Sequence, residues 1–335
     1  MWYNIRKCFS EVKNMPLWLI IMLAVVLFII VSGLVAMLCI TCPIAKKVYE
    51  EQLVRTSPEK WGHSCSAPDN EEQLEMWNEG NKWADANKEY KKDVEVKNKD
   101  LRLFGEYYDF GSDKCVIILP GRCESLIYSY YFAKPYHESG MNVLVIDTRC
   151  HGKSDGKYPS LGVYEADDLK EWIRFITDKY GIKGFWLHGI CIGSGAALFA
   201  ATSEDCQNID GIVLEGCFVN FRESFKQHML DINKPIYPVL DLVMFNIWRY
   251  AGVNVNWKTP MKAVKKIKQP ILFLFGELDK FSVPEKSKRL FAACRSENKK
   301  LVWFDKGGHS HLRINNTEKY DSVIKEFINE YEKSN

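Results

Sequence analysis

The sequence has almost no excess of charge of either sign. Lys and Arg number 45 and Asp and Glu 43, a net of +2. That excludes the strongly basic surface of a bulk nucleic-acid binder, and no nucleic-acid partner is expected. Internal repeats and low-complexity tracts are absent, and 13% of the residues are aromatic, so extensive disorder is excluded as well. There is no phosphate-binding G-x-x-x-x-G-K-[ST] loop and no H-E-x-x-H. The glycines at 189, 193 and 195 do not fit G-x-G-x-x-G. Neither a cofactor nor a metal is expected. Cysteine, by contrast, is plentiful: eleven residues, an odd number, spread irregularly over 335 positions. That is unlike the paired cysteines of a small disulfide-stapled domain.

One long apolar run stands near the N-terminus. Leu17 to Cys42 contains no charged side chain. As a helix it reaches about 39 Å, enough to cross a hydrocarbon core of about 30 Å with some tilt. It is too long for the apolar region of a cleavable signal, and no A-x-A-like site follows. A retained single-pass membrane anchor is expected. Arg6, Lys7 and Lys13 precede it, and Lys46, Lys47 and Arg55 follow, a near tie under the positive-inside rule. A long domain is exported behind such an anchor whatever its charge. The expectation is therefore an N-terminus inside and the domain that follows on the extracytoplasmic side. The eight cysteines after residue 60 run against an oxidising compartment.

The organisation reads as a flank over 1–16, an anchor over 17–42, a charged, tryptophan-bearing helical linker over 43–92, and one large domain over 93–335. In the linker, Asp69 and Glu72 suit a capping box opening a helix. Leu74 and Trp77 share its face, Trp83 packs separately, and Gly80 ends or bends the helix. Cys39-x-x-Cys42 has redox or metal spacing but no partners. A shortened chain starting near Glu59 is expected to keep all that the chemistry requires.

From Asp93 onward, short apolar runs alternate with helical patterns. Strands are expected at Val94–Val96, Leu101–Tyr108, Cys115–Leu119, Val143–Ile146, Gly184–His188, Gly211–Leu214, Ile271–Phe275 and Lys300–Phe304. Helices include Val163–Asp178 and Gly193–Ser203. Alternation of this kind gives a mostly parallel, eight-stranded α/β sheet with helices on both faces. The first two strands read as an antiparallel edge hairpin. Residues 218–260 break the alternation and read as an inserted helical cap, rich in aromatics such as Phe221, Phe225, Tyr237, Phe245 and Trp248.

The most informative run is Gly189-Ile-Cys191-Ile-Gly193, between a strand end and a helix start. It is the nucleophile-elbow pattern G-x-S-x-G with Cys in place of Ser. Flanking glycines let neighbouring backbone pass, and the helix N-terminus favours a thiolate. A buried structural cysteine is the plain alternative reading. Ser194 competes as nucleophile, but its register lacks both outer glycines. A thiolate needs a base, and the base an orienting acid. Asp279 lies beyond Ile271–Phe275, and His309 lies in a glycine-rich loop beyond Lys300–Phe304. Both sit at carboxyl ends of strands, where open α/β sheets place their sites. Glu215 is the alternative acid and His311 the alternative base. The oxyanion hole takes the N–H of Ile192 and, from the loop at Pro120-Gly121, the N–H of Arg122. The Arg122 side chain either meets an anionic substrate group or is solvated.

With these residues in view, the sequence resembles the α/β-hydrolase superfamily, in its serine-aminopeptidase-like and monoacylglycerol-lipase-like branch. It is similar to membrane-anchored bacterial hydrolases of that type, over about Asp93 to Asn329. The resemblance rests on Pro120-Gly121, Asp147-Thr-Arg-Cys-His-Gly-Lys-Ser-Asp-Gly156, Gly189–Gly193, Gly276-Glu-Leu-Asp279 with Val283-Pro284, and Gly308-His309-Ser310. It implies an α/β-hydrolase fold with a helical cap, and a structural role for His151. Two positions depart from the pattern: most relatives have His-Gly at Pro120-Gly121 and Ser at Cys191. Dienelactone hydrolases of the same fold use Cys.

The expected activity is hydrolysis of a small-molecule acyl ester or thioester through an acyl-cysteine intermediate on Cys191, His309 and Asp279. The cap aromatics suit an apolar acyl group. An acyltransferase using the same site and a non-catalytic binding protein on this scaffold are the alternatives. The natural substrate and the oligomeric state are not written in the sequence.

Overall fold

A computed structural model describes residues 15–206 and 208–332. The basic residues Arg6, Lys7 and Lys13 of the flank lie outside the described residues. Eight strands form one sheet: β1 (Lys91–Asn98), β2 (Leu101–Tyr108), β3 (Lys114–Leu119), β4 (Asn142–Ile146), β5 (Gly184–Ile190), β6 (Ile209–Glu215), β7 (Ile271–Gly276) and β8 (Lys299–Phe304). Their order is β1-β2-β4-β3-β5-β6-β7-β8. β1 pairs antiparallel with β2, and β2 with β4; every pair from β4 to β8 is parallel. Each expected strand is present, extended by a residue or more at most ends.

The central strands read as unbroken apolar runs because both faces are covered. In β3, Cys115, Ile117 and Leu119 join one core while Val116 and Ile118 join the other, the period of two that a strand imposes. The longer helices are α1 (Leu17–Leu53), α2 (Glu71–Ala86), α3 (Glu165–Tyr180), α4 (Ile192–Ala201), α5 (Phe221–Asp231), α6 (Val239–Ala251), α7 (Pro284–Ala293) and α8 (Thr317–Glu332). The cores place α3 and α4 over one face of the sheet, and α8 with part of α2 over the other. The expected cap contains α5 and α6.

The apolar run is helical throughout, and Leu17–Ala36 buries no side chain. It is a candidate membrane span. The helix does not stop at Cys42: it runs on to Leu53 and buries Ala45, Val48, Tyr49 and Leu53. Tyr49 stacks on Tyr250 of α6 with ring centroids 5.6 Å apart. Residues 43–53 are therefore part of the packed body, which corrects the expectation that a chain starting near Glu59 keeps everything required. The charged positions of this segment had masked its i, i+3, i+4 apolar face.

α2 also differs in detail. Its N-cap is Asn70, whose side-chain oxygen accepts from the Gln73 N–H at 3.0 Å, rather than Asp69. Gly80 lies inside the helix, because a Cβ there would come within 3.1 Å of the Tyr131 backbone nitrogen. The glycine admits a close helix-to-helix approach. The buried face carries Gln73, Met76 and Gly80, while Leu74 is exposed. Trp83 packs separately, on Tyr108 and His137.

Candidate active site

β5 ends at Ile190 and α4 begins at Ile192, so Cys191 alone makes the turn. Its backbone has φ 52° and ψ −111°, a conformation costly for any residue with a Cβ and one held only by its surroundings. The glycines supply the room. A Cβ on Gly189 would lie 2.5 Å from the Gly193 backbone, and one on Gly193 would lie 2.3 Å from the Leu119 carbonyl oxygen. The Cys191 N–H donates to the Glu215 carbonyl at 2.9 Å, which fixes the turn from the next strand.

The other sequence-predicted residues converge on it. His309 and Cys191 line one cleft of about 160 Å³. Nδ1 of His309 lies 2.8 Å from Oδ2 of Asp279. The second oxygen of Asp279 accepts from the N–H groups of Phe281 and Ser282, each at 2.8 Å. Burial works against the Asp279 charge, but His309 and these donors hold its carboxyl below the usual range. Burial likewise works against an imidazolium at His309. The neighbouring Cys191 and Asp279 side chains outweigh it and hold the imidazole well above its ordinary pKa. Nε2 of His309 is buried and makes no hydrogen bond among the described residues. Gly216 makes space for this ring: a Cβ there would lie 3.0 Å from it.

The alternatives are occupied elsewhere. Ser194 is fully buried, with its hydroxyl 2.6 Å from the Gly189 carbonyl. Glu215 is bound by the Tyr320 hydroxyl, and burial pushes its carboxyl up to about 7. His311 reaches the cleft wall but bonds Gln73 at 2.7 Å and Glu72 at 3.0 Å, not Asp279. His151 stacks on Trp61 at 4.9 Å and is buried, which drops its pKa to about 4.

Arg122 and Ile192 both line the cleft. Among the described residues neither backbone N–H has a protein partner. The Arg122 side chain is partly exposed at the cleft and held by the protein: it donates to the Gln52 carbonyl at 2.9 Å and sits 3.3 Å from Nε2 of His228. Phe221 and Phe225 face the cleft, whereas Tyr237, Phe245 and Trp248 are exposed. Four wall or support residues were not anticipated: Gln52, Gln73, Glu124 and His228. Glu124 accepts the Gly121 N–H at 2.9 Å, and burial raises its carboxyl pKa. No group of His, Cys, Asp and Glu among the described residues is arranged to hold a metal.

Comparison with known proteins agrees with the fold. Residues 114–231 match the family model described as "alpha/beta hydrolase fold", and 240–311 match "Serine hydrolase (FSH1)". The Bacillus subtilis protein YqkD is 26% identical over 64% of this chain and 70% of its own length. The Saccharomyces cerevisiae membrane protein YNL320W is 27% identical over 58% of this chain and 62% of its own. The lysophosphatidylserine lipase ABHD12 of Macaca fascicularis is 26% identical over 58% of this chain. The chain spans only half of that lipase's length. The Pyrococcus furiosus esterase Pf2001 superposes with a TM-score of 0.60 at 26% identity, over 72% of this chain and 91% of that one. With its mostly parallel sheet, its strand-end site and family-model matches over 114–231 and 240–311, the chain has the α/β-hydrolase fold.

Proposed function

We propose that the protein is a membrane-anchored hydrolase of carboxylic ester or thioester bonds that works through an acyl-cysteine intermediate. The observation that carries this reading is Cys191 alone on the strained turn, in one cleft with a His309–Asp279 pair. The Cys191 thiolate attacks the substrate carbonyl carbon and forms a C–S bond. The N–H groups of Arg122 and Ile192 receive the oxyanion of the tetrahedral intermediate. As the intermediate collapses, the imidazolium of His309 gives its Nε2 proton to the leaving alkoxide or thiolate. Asp279 keeps Nδ1 protonated and the ring oriented. Water then enters, loses a proton to His309 and attacks the acyl carbon. The thiolate leaves, the carboxylic acid departs, and His309 again carries the proton.

Cysteine suits this work because a thiolate forms near neutral pH, whereas a serine hydroxyl needs a base at the moment of attack. The proposed acyl group is apolar, placed against Phe221 and Phe225. The anchor, with the lysophosphatidylserine lipase among the relatives, supports an ester borne by a lipid. The domain is proposed to lie on the extracytoplasmic side; labelling of intact cells with a membrane-impermeant maleimide tests that side. The activity is tested with p-nitrophenyl esters and acyl thioesters of graded chain length, beside Cys191→Ala. The parent should hydrolyse a subset and the folded variant none. Parental turnover by the variant would overturn the reading.

A further inference from the structure

α2, which precedes the sheet, places Gln73 at the cleft wall, where it joins two loops. The Gly121 N–H donates to one carboxylate oxygen of Glu124 at 2.9 Å. The other oxygen accepts from the Gln73 amide nitrogen at 3.3 Å. The Gln73 amide oxygen faces Nε2 of His311 at 2.7 Å, and Nδ1 of His311 lies 3.0 Å from Glu72. Gln73 is nine-tenths buried. A single side chain of α2 thus touches both the oxyanion loop after β3 and the histidine loop after β8.

We propose that Gln73 and Glu124 are positioning residues that hold the Arg122 N–H and His309 in register with Cys191. Glu124 engages the Gly121 N–H, which leaves the neighbouring Arg122 N–H as the donor for the oxyanion. A Cβ on Gly121 would lie 2.8 Å from the Glu124 carboxylate, so the glycine is what lets the carboxylate sit there. Through His311, the same amide holds the loop that presents His309 two residues earlier. An oxyanion donor acts mainly on the transition state, so a misplaced one lowers kcat rather than substrate affinity.

The polarity of the chain gives a test that a simple packing role does not meet. A carboxylate only accepts, so Gln73 turns its NH2 toward Glu124 and its oxygen toward a protonated His311 Nε2. In Glu124→Gln the chain can reverse. The amide introduced there accepts from Gly121 through its oxygen and donates through its nitrogen to the Gln73 oxygen. Gln73 then donates to an unprotonated His311 Nε2, and Nδ1–H donates to Glu72. Every partner remains satisfied. In Glu124→Ala the Gly121 N–H and the Gln73 amide both lose theirs.

The inference rests on the acyl-cysteine reading, so the measurements must separate the two. Steady-state kinetics on the best ester are compared for the full chain in detergent and its Cys191→Ala, Gln73→Ala, Glu124→Ala and Glu124→Gln variants. Iodoacetamide alkylation of Cys191 is followed in parallel. We expect Glu124→Ala and Gln73→Ala to lower kcat about 10- to 100-fold. KM should stay within about threefold, because it mostly reports ground-state binding, while alkylation of Cys191 should slow in Gln73→Ala, where the loop presenting His309 loses its support. Glu124→Gln should recover kcat to within about threefold of the parent. Parental kcat in both alanine variants, a loss confined to KM, or a folded Glu124→Gln as poor as Glu124→Ala would each overturn the proposal. The last outcome would assign Glu124 a role through its charge. An active Cys191→Ala would instead remove the underlying reading. If Glu124→Ala does not fold, Glu124→Gln and Gln73→Ala still decide.

Discussion

Asp279 holds one nitrogen of His309 at 2.8 Å, while the other nitrogen, buried beside Cys191, has no partner among the described residues. The ring is thus oriented from behind and open in front. Asp279→Asn should lower kcat about 10⁴-fold, because an amide at that position admits the wrong imidazole tautomer. KM measured alongside should move little.

The same pair sets a pH signature on stability. His309 has a raised pKa in the folded state. Its contribution is therefore full below the unfolded value of about 6.5 and is lost as pH rises through the folded value. Asp279 has a lowered pKa, so its share is present above about 3.9 and is lost as pH falls through its folded value. Thermal unfolding of the parent and of Asp279→Asn, followed from pH 6.5 upward, should show the gap between them narrowing. A gap that widens over that range would contradict the pairing.

Ser194 is the obvious rival hydroxyl, yet it is spent on a buried carbonyl. Ser194→Ala should cost about 1 kcal/mol of stability, the worth of one hydrogen bond, and retain turnover. Denaturant melts and an ester assay on one preparation test both halves.

Gly193→Ala should fail at the elbow. Its Cβ would press on the Leu119 carbonyl oxygen at 2.3 Å, and strand backbone does not yield as a flexible side chain does. Overpacking of this kind costs about 1–3 kcal/mol, and here the shift moves Cys191 as well. Lower stability together with slower alkylation of Cys191 is expected.

Where the chain is shortened should matter. A chain beginning near Glu59 loses Tyr49 from the cap and Gln52 from Arg122 and His228. One beginning at Cys42 keeps both and should be the more stable and more active, in melting and ester assays.

The sheet was legible because its signals are local. β-branched and apolar runs of strand length, divided by helical patterns, required a covered parallel sheet, and Gly189 and Gly193 marked the elbow between β5 and α4. Cys191, Asp279 and His309 could be singled out because each follows its own strand. Gln73 and Glu124 could not: their bond joins residues 51 apart, and the one from Gln73 to His311 joins residues 238 apart. Neither residue type nor spacing announces such a contact. The packed end of α1 was missed for another reason, since Lys46, Lys47, Glu50 and Glu51 on its outer side hid the face of Ala45, Val48 and Tyr49.

The central claim is that the acyl group passes through the Cys191 sulfur. The direct measurement is mass spectrometry of the protein quenched in acid during turnover of a slowly hydrolysed ester. The peptide bearing Cys191 should gain the mass of the acyl group, lose it on treatment with hydroxylamine, and remain unmodified in Cys191→Ala. An acyl group on Ser194 or on any other residue, or turnover by folded Cys191→Ala at the parental rate, would contradict the account.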